Sequence, residues 1–167
     1  MKRVLPFAAA SIVATLFAGP ALAQLPPAIA APGETPIVTL YAVGAQIYEC
    51  KAGTDGKLAW VGREPAAALT LDGETVGRHY AGPTWEHVDG SLVVARAVGS
   101  VPGKTPNDVA WLKLEVTSHR GAGVLSAATT IQRINTAGGA VSGTCDKAGA
   151  LRSAAYSTDY VFLRKGP

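Results

Sequence analysis

From residue 37 onward the chain alternates apolar and polar positions in short runs, and glycine, proline and aspartate interrupt them at intervals too short for helices. No window carries apolar residues at helical spacing over the ten or so positions an amphipathic helix needs, whereas two-residue alternation recurs throughout. Runs at 37–43 and 45–51 flank Gly44, which reads either as a bulge in one long bent strand or as a break between two. Leu58 and Trp60 alternate with small or charged neighbours in a strand that Arg63 to Pro65 is expected to end. Ala67, Leu69 and Leu71 share a face ahead of an Asp72-Gly73 turn, and a weaker run at 76–81 stops at Gly82-Pro83. Runs at 84–88 and 91–98 flank Asp89-Gly90, the clearest two-residue hairpin signal in the chain, since both turn residues tolerate positive φ. Leu112, Leu114 and Val116 alternate with Lys113, Glu115 and Thr117, predicting one buried and one solvated face. A run at 129–135 precedes Gly138-Gly139, and the last run, 155–164, sets Tyr156, Tyr160 and Phe162 on one side. The pattern predicts an all-β fold: a single-domain antiparallel β-sandwich or closed β-barrel of roughly eight to ten strands.

The first residues follow a different rule. Lys2 and Arg3 precede an apolar stretch from Val4 to Ala18 that is shorter than the roughly 20 residues of a membrane-spanning helix, and Gly19-Pro20 ends it. Ala21-Leu22-Ala23 supplies the small residues a signal peptidase accepts, so residues 1–23 read as a cleavable signal peptide. Residues 24–36, with Pro26, Pro27, Pro32 and Pro36, read as a flexible linker, and 37–167 as the single all-β domain. The formal net charge of +3 includes Lys2 and Arg3, which leaves +1 on the mature chain with its charges scattered singly. That balance points to neither a nucleic-acid partner nor membrane insertion after cleavage. The destination is periplasmic or extracellular, and in such an oxidising compartment the two cysteines, Cys50 and Cys145, are expected to form a disulfide. A bond closing a loop of that length contributes about 4–5 kcal/mol in the chain-entropy model.

Candidate chemistry concentrates at residues 77–87, which hold Arg78, His79, Tyr80, Trp85, Glu86 and His87. A two-residue turn at Asp89-Gly90 would set Glu86 opposite Val93 and Trp85 opposite Val94, with Trp85 and His87 on one face and Glu86 on the other. That separation disfavours His87 and Glu86 acting together on one substrate atom. His79, His87 and His119, the last expected in a glycine-flanked loop, are separated by 8 and 32 residues and match no short metal-ligand pattern. No Gly-x-Ser-x-Gly element and no phosphate-binding glycine loop occurs, and nothing indicates a cofactor. Among the aromatic residues, Trp60 and the Tyr156, Tyr160, Phe162 stripe are expected in the core, whereas Trp111 falls on the polar side of its strand with Lys113. Arg78 and Arg96 are expected to meet a carboxylate such as Glu86 or Asp72.

The stretches 41–50 (YAVGAQIYEC), 77–86 (GRHYAGPTWE), 111–114 (WLKL) and the closing 156–162 segment resemble a secreted bacterial and fungal family, domain of unknown function 3455. The resemblance extends from about Thr39 onward. It implies that His79, Tyr80, Trp85 and Glu86 form a family hallmark, that Cys50 and Cys145 occupy family cysteine positions, and that His87 is particular to this member. It brings no activity with it. The expectation is a non-catalytic exported domain that binds a small or polymeric ligand at a cleft formed by His79, Tyr80, Trp85 and Glu86. The alternatives are a metal-dependent or hydrolytic envelope enzyme centred on His79, and a structural or stress-protective envelope protein.

Overall fold

The structure, a computed structural model, describes residues 25–166, so the expected signal peptide at 1–23 lies outside the described residues. Eight strands follow in chain order: β1 (Glu34–Ala52), β2 (Leu58–Leu71), β3 (Glu74–Tyr80), β4 (Thr84–His87), β5 (Leu92–Val101), β6 (Trp111–Arg120), β7 (Thr130–Gly138) and β8 (Leu151–Lys165). Each pairs antiparallel with its sequence neighbours, and β1 pairs with β8 to close the ring. Of the two architectures the alternation allowed, the chain therefore takes the closed barrel, which leaves no sheet edge between its first and last strands.

Of the two readings at Gly44 the chain takes the single long strand: β1 runs through it, with register shifts at Ile47/Tyr48 against β2 and at Pro36/Val38 against β8 rather than at Gly44 itself. Gly44 is where β2 comes closest: a Cβ there would lie 2.1 Å from the Ala66 carbonyl oxygen, and on its other side Gly44 pairs with the bulky Tyr156. β2 likewise continues through Arg63 to Pro65. Its pairing with β3 begins only at Ala67, so Pro65 sits where one edge of the strand is free, and a free edge tolerates the N–H that proline lacks. Joining these runs reduces the ten alternating segments to eight strands.

The turns divide in the same way. Asp72 (φ 51°) and Gly73 (φ 87°) both take the left-handed conformation of a two-residue turn, as expected. At Asp89-Gly90 only Gly90 does (φ 89°). There the Gly90 N–H donates to the His87 carbonyl (3.0 Å) and the His87 N–H to the Ser91 carbonyl (2.9 Å), giving a three-residue loop, Val88-Asp89-Gly90. The reason is the Asp89 carboxylate, which accepts Ser91 N–H (2.9 Å), Ser91 Oγ–H (2.6 Å) and Val124 N–H (2.7 Å) and so holds the loop against the segment after β6. Burial works to raise the Asp89 pKa, but those hydrogen bonds outweigh it and keep the carboxylate ionised far below the ordinary range. The register shifts by one from the expected pairing: Trp85 faces Val93 and Glu86 faces Leu92.

Inside the barrel, Leu40, Leu69, Trp85, Val93, Ile131, Tyr160 and Phe162 are fully buried and form one cluster. Tyr156, Tyr160 and Phe162 join it as expected. Trp60 does not: it is half-buried outside the cluster, with the Arg152 guanidinium 5.9 Å from its ring. It lies on the part of β2 that pairs with β1 before β3 joins, since β2 meets β3 only from Ala67 to Leu71, and its N–H donates to the Gly143 carbonyl of the segment between β7 and β8 (3.1 Å). The Cys50–Cys145 disulfide forms there (Cα–Cα 5.9 Å) and ties the end of β1 to the segment between β7 and β8.

Residues 25–36 differ from the flexible linker expected of them. Pro27–Ile29 forms a turn of 3-10 helix, Ile29 is fully buried, and β1 already begins at Glu34. The segment crosses the outside of β5, β6 and β7. Ala28 O lies so close to Gly99 that a Cβ there would be 2.0 Å away, Ala30 O accepts Lys113 Nζ (3.0 Å), and Ile29 O accepts Gln132 Nε2 (2.7 Å). Proline removes donors from this segment, and the side chains of the wall satisfy the carbonyls that remain.

Candidate functional site

Residues 77–86 lie in the β3–β4 hairpin, with Arg78 opposite Glu86, His79 opposite Trp85 and Tyr80 opposite Thr84. Because side chains alternate across a strand, this register sends the four predicted ligand-binding residues to two different sides of the wall. His79 and Trp85 point inward and are 3% and 1% exposed. Tyr80 and Glu86 point outward with Arg78.

On the inner side the His79 and Trp85 rings stack with centroids 4.1 Å apart and planes 14° from parallel. Tyr160 from β8 meets both edge-on, at 5.0 and 5.2 Å. His79 Nδ1–H donates to Thr84 O (2.8 Å), which fixes the neutral tautomer with Nε2 unprotonated. Burial pushes the His79 pKa down to about 4; the Thr84 carbonyl opposes the shift and the Arg133 charge adds to it. This histidine is therefore neutral at physiological pH and serves as a packed ring. Trp85 Nε1 is buried without a hydrogen-bond partner.

On the outer side three donors converge on one oxygen. Arg78 Nε (3.0 Å), Arg78 Nη2 (2.8 Å) and Tyr80 OH (2.9 Å) all donate to Glu86 Oε2. The Arg78 guanidinium also lies 5.0 Å from the Tyr80 ring centroid. Hydrogen bonds from Arg78, then from Tyr80, hold the Glu86 carboxyl below its ordinary range, and the Arg78 pKa rises in return. Tyr80 is raised first by burial and then by its bond to Glu86. Beside this cluster lies a groove of about 270 Å3 lined by Thr75, Gly77, Arg78, Glu86, His87 and Val88. The expected single cleft of His79, Tyr80, Trp85 and Glu86 does not form. Only Glu86 of the four lines this groove, with Tyr80 bonded behind it.

Each histidine has its own partner. His87 Nδ1 lies 3.1 Å from Asp89 Oδ2, and His119, on β6 rather than in a loop, donates from Nε2 to Ala128 O (2.7 Å). Among the described residues, no three His, Cys, Asp or Glu side chains are grouped to hold a metal ion. Arg96 pairs with Glu115, and Arg78 with Glu86, as a carboxylate partner was expected for both. Trp111 sits opposite the core-facing Leu112 and Leu114, half-buried, with Nε1 unpartnered.

A second groove, of about 440 Å3, opens where β6 and β7 diverge and includes Glu34, Lys113, His119, Thr129 and Thr130. Several of its polar groups are engaged in holding the fold. Glu34 accepts the Thr129 and Thr130 hydroxyls (3.1 and 2.9 Å), while Lys113 and His119 are bound to backbone carbonyls. One inward residue escaped the sequence reading altogether. Arg133 stands two positions after the fully buried Ile131 and pairs with Leu112 and Tyr160, so simple alternation from Ile131 would have placed it inside.

No curated protein and no solved structure matches the chain. A family match covers residues 70–164, which takes in the 77–86, 111–114 and 156–162 stretches and leaves 41–50 outside. Spanning more than half of the chain, it places this protein in the family described as "Protein of unknown function (DUF3455)".

Proposed function

We propose that this protein is an exported, non-catalytic β-barrel that binds a small or polymeric ligand in the groove beside Arg78 and Glu86. The observation that carries this reading is the convergence of three donors on Glu86 Oε2, which leaves Oε1 with no bond from any described residue. Glu86 is thus rigidly held and still offers an ionised acceptor at the groove, where Arg78 Nη1 offers a donor and Val88, 72% exposed, an apolar surface. Polar groups fixed beforehand next to an apolar patch suit a ligand that carries both hydroxyl and hydrocarbon surface, because little ordering is needed on binding. An enzyme centred on His79 has less support: the ring is buried and neutral, and Glu86 stands on the opposite side of the wall from it. Export fits the disulfide, which persists in oxidising compartments. A soluble destination fits β3 and β4, at 7 and 4 residues well short of the roughly 9–11 that span a bilayer as strands.

The test is a melting-temperature screen of the purified protein against soluble oligosaccharides and small amphipathic acids, repeated with Glu86→Gln and Arg78→Ala. A ligand that binds only the folded barrel raises the wild-type midpoint, and the rise should disappear in both variants. A rise that survives both substitutions would place binding elsewhere, and no rise across the panel would favour the structural or stress-protective role.

A further inference from the structure

The outer row that carries Glu86 holds a second guanidinium. Arg78 faces Glu86, Glu86 faces Leu92 of β5, and Leu92 faces Arg120, the last residue of β6. Directly opposed residues share one face of a sheet, so Arg120 stands outside the barrel, across Glu86 from Arg78. Its charge reaches the cluster. After the hydrogen bonds from Arg78 and Tyr80, which do most to lower the Glu86 pKa, Arg120 lowers it further, and it opposes the rise that burial and the bond to Glu86 impose on Tyr80.

These three charged groups keep unspent capacity. Glu86 commits Oε2 to Arg78 and Tyr80, while Arg78 commits Nε and Nη2 to Glu86, which leaves one carboxylate oxygen and one guanidinium nitrogen. Arg120 is exposed and enters no ion pair among the described residues. Asp89, close to Glu86 in the chain, is already taken up by Ser91 and Val124. Neighbouring strands lie about 4.8 Å apart, so the three strand spacings of the row set the Cα atoms of Arg78 and Arg120 about 14 Å apart. That span is longer than one sugar ring. The row therefore offers a carboxylate-binding fork at each end and a hydroxyl acceptor between them, with a groove of about 270 Å3 at the Arg78 end. An anion that brings no hydroxyl meets only repulsion at Glu86.

We propose that the ligand of this groove is an acidic oligosaccharide, a chain of uronate units in which a hydroxyl donates to Glu86 Oε1 and the carboxylates of separate units meet Arg78 and Arg120. This rests on the groove reading above and adds to it the class of the ligand and a residue, Arg120, outside the groove's own lining.

The experiment is a calorimetric titration of the mature protein at low ionic strength with trigalacturonate, monomeric galacturonate, the neutral trisaccharide maltotriose, and polyglutamate, which carries carboxylates without hydroxyls. Trigalacturonate should bind at least about tenfold more tightly than any of the other three, and its affinity should fall as sodium chloride is added. Arg120→Gln, a change at an exposed side chain, should keep the melting temperature of the wild type, weaken trigalacturonate about tenfold and leave any maltotriose binding where it was. Equal affinity for the two trisaccharides, equal affinity for polyglutamate, or trigalacturonate binding that Arg120→Gln leaves intact overturns the proposal. Tight binding of the monomer would show that one ring suffices and overturn the two-ended site. Maltotriose binding that Glu86→Gln abolishes, with none for trigalacturonate, overturns the acidic class and leaves the groove reading standing, whereas no binding by either overturns both.

Discussion

The two faces of the β3–β4 hairpin share the stretch 77–86 and do opposite work. On the inner face His79 and Trp85 are stacked, sealed and neutral, and their rings are committed to packing. On the outer face Arg78, Tyr80 and Glu86 are charged or polar and bonded to one another, yet they leave one carboxylate oxygen and part of a guanidinium open. A cluster that is dense in the sequence is thus divided by a sheet in space. A segment of this kind holds together two requirements, a core plug and a surface group, because strand alternation lets one short stretch meet both.

The largest effect should come from emptying the inner face. Trp85→Ala removes a ring stacked on His79 and packed edge-on against Tyr160 and Phe162, and should lower the unfolding free energy by about 3–5 kcal/mol in urea denaturation. A loss below 1 kcal/mol would mean that the inner face is not the structural half. A smaller effect comes from acid. His79 binds its proton at about 4 when folded and at an ordinary 6.5 when unfolded, so the unfolded chain gains the proton first as pH falls. Stability should be level above pH 7 and drop through the interval from 6.5 to 4, reaching a loss of about 2 kcal/mol at pH 5. The depressed carboxylates, Glu86, Asp89 and Asp108, add their own losses as pH falls through the ordinary carboxylate range and below it. In His79→Phe the slope between pH 7 and 5 should flatten. The smallest effect belongs to the outer face: Glu86→Gln should leave the denaturation midpoint almost where it was, because exposed ion pairs contribute little, and should act only on ligand response. A large loss of stability in Glu86→Gln would erase the contrast between the two faces.

How much of this could be read beforehand follows from how local each feature is. Strand positions, the Asp72-Gly73 turn and the core stripe of Tyr156, Tyr160 and Phe162 are set by residues within a few positions of one another, and they were legible. The Asp89-Gly90 register was not, since it depends on Val124, 35 residues away, whose N–H captures the Asp89 carboxylate. Pro65 looked like a strand end because its tolerance rests on β3 pairing with β2 no further than Ala67. Residues 25–36 looked like free chain because their partners, Gly99, Lys113 and Gln132, lie far along the sequence. At the candidate site the residue types were legible, and the sides they take were half so: alternation separates Glu86 from Trp85, but burial of His79 needs the wall that Tyr160 supplies from β8.

By itself, the sequence determined that this is an all-β chain, that its chemistry gathers at residues 77–87, and that two cysteines are available to close it, because two-residue periodicity and composition are properties of neighbours. Only the tertiary structure decided that β1 meets β8 to close a barrel, that Cys50 reaches Cys145, that residues 77–86 are split between core and surface, and that Arg133 stands on the inward side of β7. Each of these depends on a contact across tens of residues, where register and closure, rather than residue type, choose which side chains meet.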